Sequence, residues 1–128
     1  MLRKMPKISD AEWEVMKVLW KNSPLTSSEI IEILKEYTSW NPKTIHTLIS
    51  RLAKKEAIKV EKREPFYLYY PNISQKEYRK TETKSFIKKV YDGSIHLLIS
   101  NFIKNEKLSE KEIDELRKIL DEKQNRRR

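Results

Sequence analysis

The chain has 128 residues, enough for one domain or a small domain with an appendage, and its 37% charged and 38% hydrophobic residues allow only a limited core. Its 28 basic and 19 acidic residues leave a net charge of +9, which favours an acidic partner, nucleic acid ahead of a membrane surface. One glycine and no cysteine exclude glycine-rich phosphate loops, a Rossmann-type sheet, disulfides, thiolate metal sites and thiol catalysis.

Helix starts recur in one form along the chain: an apolar residue, a capping Ser or Thr, a Glu three residues on, and another apolar residue. Ile8, Ser9, Glu12 and Trp13 give the first, and Leu25, Thr26, Glu29 and Ile30 the second. They predict a helix over about 9–21 with Trp13, Met16, Leu19 and Trp20 facing a core. A second helix is expected over about 26–38, burying Ile30, Ile33, Leu34 and Tyr37. The segment from Lys21 to Leu25 between them has room for one brief strand.

The third helix, over about 41–55, is built differently. Asn41 is a strong N-cap, Pro42 suits the first helical position, and Trp40 can staple onto Ile45. Ile45, Leu48, Ile49 and Leu52 fall on one stripe, which leaves Lys43, His46, Thr47, Ser50, Arg51 and Lys54 on the opposite side. Where four of the helices carry Glu at the third position this one has Thr44, and no acidic residue occurs from Tyr37 to Lys55. An ordinary solvated face mixes both signs; a face that must approach phosphates excludes carboxylates. Lys43, Thr44, His46 and Thr47 lie near the N-terminal turns, where base edges are read. Ser50 shares their face, and Arg51 and Lys54 follow as phosphate contacts.

After this helix the period changes from helical to alternating. Ile58 to Arg63 and Phe66 to Tyr70 read as two strands joined at Glu64 and Pro65, with Pro71 just past the second. Phe66, Leu68 and Tyr70 are expected to pack this hairpin onto the first and third helices, and Lys62 and Arg63 near its tip to touch DNA. Three helices followed by such a hairpin make a winged helix-turn-helix. The fold class is therefore mainly α, with residues 1–72 as the DNA-binding domain.

Residues 73–128 read as a helical dimerisation domain. Ile73, Ser74, Glu77 and Tyr78 start a fourth helix that runs to about Tyr91 and stops at Asp92 and Gly93. A short fifth helix carries Ile95, Leu97, Leu98, Ile99, Phe102 and Ile103. The sixth begins at Ser109, with Glu112 completing its cap and Ile113, Leu116, Ile119 and Leu120 on its stripe. Three stripes this narrow, with no further layer over them, make no independent core. A second copy of the chain is the expected cover, with Phe86, Val90, Leu98, Phe102, Ile113, Leu116 and Leu120 at the homodimer interface. Arg126 to Arg128 reads as a frayed basic tail.

Only His46 and His96 would serve as general bases near neutral pH without tuning, and neither lies in a nucleophile, metal or phosphate-loop pattern. No catalysis, cofactor or metal is expected. The opening residues Met1 to Pro6 have no signal-peptide-like apolar run, and no stretch approaches the roughly 18 apolar residues of a membrane span. A cytoplasmic protein without membrane insertion is expected. The competing reading is a winged helix that binds proteins instead of DNA, and the acid-free face counts against it.

Three stretches resemble the BlaI/MecI penicillinase repressors. They are Ile8, Ser9, Ala11, Glu12, Trp13, Val15 and Met16; Lys43 to Ile45 with Thr47, Leu48, Ile49, Arg51 and Leu52; and Asn101 and Phe102 followed by Lys104, Asn105 and Glu106. The resemblance covers nearly the whole chain. It implies a homodimeric repressor of β-lactamase and related resistance operons, bound to a palindromic operator, with interlocked C-terminal helices. It also implies release by proteolysis at the bond matching Asn101–Phe102, triggered by a membrane β-lactam sensor with a cytoplasmic zinc-protease domain. That bond reads as a junction between the apolar fifth helix and a polar connector from Lys104 to Lys107. Where several relatives carry Arg in the middle of the recognition helix, this chain has His46, which cannot fork onto guanine O6 and N7. The operator is then expected to differ at one base pair per half-site, or His46 to meet phosphate. A winged-helix repressor of another operon, with no sensor protease, is the alternative.

Overall fold

The structure, a computed structural model, describes residues 5–126; the expectations for Met1 to Lys4 and for Arg127 and Arg128 lie outside the described residues. The first three helices open on their caps. Ser9 Oγ accepts from the Glu12 N–H at 3.2 Å while Glu12 Oε1 accepts from the Ser9 N–H at 2.8 Å, starting α1 (Asp10–Lys21). Thr26 and Glu29 exchange the same two bonds at the head of α2 (Ser27–Leu34). At α3 (Pro42–Lys54), Asn41 Oδ1 accepts from the Thr44 N–H at 2.9 Å. Each cap satisfies amide donors that a helix leaves orphaned in its first turn.

The end of α2 departs from the sequence expectation. It stops at Leu34, because the next amides turn back three residues, Glu36 N–H to Ile33 O and Tyr37 N–H to Leu34 O. Thr38 Oγ1 also donates to Leu34 O at 2.9 Å and fixes the turn into α3. Tyr37 is carried off the buried stripe and ends 70% exposed. The rest of the core is as expected: Met16 and Leu19, joined by Val15, pack with Ile30, Leu34, Ile45, Leu48, Ile49 and Leu52. Trp13 and Trp20 sit at its rim as an edge-to-face pair 5.1 Å apart, and Trp20 Nε1 donates to Ile73 O at 2.9 Å.

β1 (Ile58–Arg63) and β2 (Phe66–Pro71) pair antiparallel, from Ile58 opposite Pro71 to Arg63 opposite Phe66. The brief strand is present as a single bridge, with Leu25 and Tyr69 exchanging N–H to O bonds of 3.2 and 2.8 Å. The hairpin turns its other face to the core than the one expected. A tight exit from α3, Ala57 N–H to Leu52 O at 2.9 Å, delivers Ile58 to a buried position. Alternation along the strands then decides every other residue. Tyr69 packs against the core, while Phe66 is 60% exposed and Leu68 and Tyr70 share its face.

α4 (Gln75–Val90) begins as part of the first core. Tyr78 is buried, its ring 5.4 Å from Trp13 and its hydroxyl accepting from the Ile8 N–H at 3.2 Å. The chain accordingly divides into compact units between Glu82 and Thr83, not after Asn72; a cut after Asn72 would strip Ile73 and Tyr78 from the core. The second unit holds the end of α4, α5 (Ile95–Asn105) and α6 (Glu110–Asn125). Asp92 and Gly93 take φ of 51° and 83°, the left-handed exit in which glycine is at ease, and Gly93 N–H reaches back to Ile87 O at 3.0 Å. No described residue of this unit is buried. Phe86, Val90, Phe102, Ile113, Leu116 and Leu120 are exposed and Leu98 partly so.

The Asn101–Phe102 bond also needs correcting. α5 continues to Asn105, with Glu106 N–H bonded to Phe102 O at 3.0 Å, so the bond lies within a helix and not at a junction. Lys104, read as connector, occupies the last turn, where a cation suits the carbonyl end of the helix.

Candidate nucleic-acid interface

Lys43, His46, Thr47, Ser50, Arg51 and Lys54 are all exposed and border one shallow depression, to which no other element contributes. Thr44 is exposed beside them, at the third position of a first turn with no carboxylate. Lys17 and Lys35 pair along their own helices with Glu14 and Glu32, at 2.9 and 3.9 Å. Among the described residues Lys43, Arg51 and Lys54 form no such pair. Their charge therefore stays directed outward, on a helix whose N-terminus adds positive potential of its own. Thr47 Oγ1 donates to Lys43 O at 3.0 Å, so toward a ligand it offers an acceptor and a methyl group.

Lys55, next along, turns the other way. Its ammonium group donates to the Lys7 carbonyl at 2.8 Å and to Glu12 Oε1, tying the end of α3 to the start of α1. Glu12 is 1% exposed, which the sequence reading missed by treating it only as a cap. The available signal was its position one turn before the core residues Val15 and Met16. Burial alone would raise its pKa, but hydrogen bonds from Lys55 and Ser9 outweigh that and hold it below the usual 4.5. Replacing Lys55 by Ala should cost about 1–3 kcal/mol at neutral pH, less than for a fully buried pair because Lys55 is 37% exposed. The stability that Glu12 contributes is complete above its unfolded value and is lost as pH falls through its lower folded one. Urea unfolding of both proteins at pH 7 and below 4.5 should thus show the gap between them narrowing in acid; a constant gap would contradict it.

At the hairpin tip Lys62 and Arg63 are exposed as expected, but each has a carboxylate of its own. Lys62 pairs with Glu64 at 3.3 Å and Arg63 Nε with Glu61 at 2.9 Å. The Tyr70 hydroxyl, with the Arg63 guanidinium, holds Glu61 below the usual carboxylate range, and the same bond pushes Tyr70 up. Exposed pairs of this kind contribute little and exchange readily for phosphate. The α3 face is thus the unneutralised surface of the first unit's DNA-contact candidates, and the wing is a mixed one. The remaining candidates, Asn101, Phe102 and the dimer-interface residues, belong to the second unit.

The penicillinase repressor family matches residues 8–122. The chain is 42% identical to the penicillinase repressor of Bacillus licheniformis over 127 residues, 99% of either chain. It is 42% identical over 117 residues to the methicillin resistance regulatory protein MecI of Staphylococcus aureus strain N315, covering 91% of this chain and 95% of that one. Among solved structures, the monomeric form of Bacillus licheniformis BlaI in complex with the blaP half-operator is similar, with a TM-score of 0.53 and 45% identity over 60% of this chain and 94% of that one.

Proposed function

The chain belongs to the penicillinase repressor family, and from that premise we propose that it is a sequence-specific DNA-binding repressor of β-lactam-resistance genes, acting in the cytoplasm as a homodimer. It is a regulator and not an enzyme. The observation that carries the reading is the outward face of α3, cationic, free of carboxylates and unpaired. Such a helix lies in the major groove with its first turns against base edges. Lys43, Thr44, His46 and Thr47 read bases there, and Ser50, Arg51 and Lys54 continue along the backbone, with Lys62 and Arg63 adding contacts from the wing. The similar B. licheniformis BlaI, solved in complex with its half-operator, supports the reading that this chain binds DNA.

Dimerisation rests on the second unit, whose apolar side chains have no cover of their own. Two copies related by a two-fold axis read a palindrome with half-sites about one helical turn, or a multiple of it, apart. Release follows cutting at Asn101–Phe102 by a protease answering a β-lactam sensor.

The division of labour on α3 is tested by two variants. Thr47→Ala should shift base preference, at about 1–3 kcal/mol for each base no longer read. Arg51→Ala should weaken operator and random duplex alike and flatten the salt dependence of log Kd by about one. Fluorescence anisotropy on both duplexes across a salt series decides, and equal losses on both duplexes for both variants would refute these roles.

A further inference from the structure

α4 carries a row of lysines that neither the α3 face nor the apolar stripes use. Lys76, Lys80, Lys84 and Lys88 recur at every fourth position of this one helix, and all four are exposed. Residues four apart are neighbours on a helix surface, so each of these lysines lies beside the next along α4. Like charges at this spacing work against the helix. None of the four forms an ion pair among the described residues. α6 also has 16 residues, all exposed, yet at that spacing it sets Glu110, Asp114, Lys118 and Glu122, whereas the acidic residues of α4, Glu77 and Glu82, fall outside its lysine row. Mixed signs are what a merely solvated helix shows. A row of one sign fits a polyanion.

We infer that this row is a second, sequence-independent phosphate-binding element for duplex DNA, an inference that rests on the DNA-binding function proposed above. Duplex DNA is favoured over an acidic protein by the chemistry of the row. Lysines act as point charges on flexible stems, without the planar fork that fixes a carboxylate. A strand that repeats its charge about every 3.4 Å offers phosphates along the whole row without demanding register. Protein interfaces are depleted in lysine and built around aromatic anchors.

The test is binding of the full chain to a random-sequence duplex over a salt series, for three variants. The first replaces Lys76, Lys80, Lys84 and Lys88 with Gln, and the second replaces the same four with Arg. The third removes equal charge from α6 by replacing Lys111, Arg117, Lys118 and Lys123 with Gln. The α4 Gln variant should weaken binding more than tenfold at low salt and flatten the slope of log Kd against log salt by about two or more, at about 0.9 for each phosphate left without its lysine. The Arg variant should keep the original slope, and the α6 variant should change it less than half as much. Equal effects from α4 and α6 would reduce the matter to net charge and overturn the inference, as would an unchanged slope in the α4 Gln variant. If Arg51→Ala flattens the slope and the α4 variant does not, the row fails while the reading of α3 stands; if neither does, both fail. Tight binding of polyglutamate, lost in the α4 variant with duplex binding intact, would assign the row to a protein partner and overturn it. Should the fourfold variant lose its helical circular dichroism, Gln at Lys76 and Lys80, and separately at Lys84 and Lys88, should each give about half the change.

Discussion

Replacing Leu116 and Leu120 by Glu is expected to give a folded monomer whose affinity for a two-half-site operator falls by about 100-fold or more. Leu116 and Leu120 are 42% and 65% exposed, so within one chain a carboxylate at either position can stay in water. In a dimer those positions would be covered, and a charge buried without a partner opposes association strongly. The loss on DNA follows from linkage alone. A dimer holds its second winged unit at high effective concentration beside the second half-site, and a monomer gives that up while its hold on the first stays the same. Affinity for an isolated half-site should therefore stay within about threefold, which separates loss of linkage from damage to α3. Light scattering and anisotropy on both duplexes suffice. A variant that remains dimeric, or a monomer that binds the palindrome at full strength, would rule out this role for α6.

What the sequence disclosed and what it withheld divide along the range of the interactions concerned. Ser9 with Glu12, Thr26 with Glu29 and Asn41 with Thr44 act within one turn, and their spacing is enough to place three helix starts. The α3 face was legible for the same reason, since a stripe of four apolar residues fixes which side chains are left over. Tyr37 was not, because three-residue turns at Glu36 and Tyr37, held by Thr38 Oγ1 on Leu34 O, end its helix early while the apolar spacing runs on. Phe66 to Tyr70 is apolar or aromatic on both faces, so alternation there carries no sign; the buried Ile58 across the hairpin supplies it. Glu12 looks like every other capping glutamate until Lys55, 43 residues away, folds against it. The unit boundary was hidden likewise, because the cap at Ser74 gives no hint that Tyr78 stacks on Trp13.

Exchanging both Asn101 and Phe102 for residues a sequence-selective protease does not accept should abolish induction in cells exposed to a β-lactam, with the repressor uncut and the operon silent. The position of the bond makes a second, quantitative demand. Asn101–Phe102 lies inside α5, with the Phe102 carbonyl engaged by Glu106 N–H, and a protease takes its substrate as an extended strand. Cutting must then await opening of the helix, and where opening and closing are fast the rate follows the open population. Ser94 caps α5, its Oγ accepting from Leu97 N–H at 3.0 Å, and it stands outside the residues flanking the bond. Ser94→Ala should cost the helix about 1 kcal/mol, which enlarges the open population about fivefold and speeds cutting by the same factor. Cutting separates Phe102 and everything after it, including the α6 stripe of Ile113, Leu116, Ile119 and Leu120, from the winged unit. The predicted dimer loses that layer, and each winged unit is left with a single half-site. Immunoblots of repressor size and reporter expression over time, for the double exchange and for Ser94→Ala, test both demands. Normal induction with an uncut repressor would dismiss the bond as the switch, and an unchanged rate in Ser94→Ala would dismiss opening of α5 as its gate.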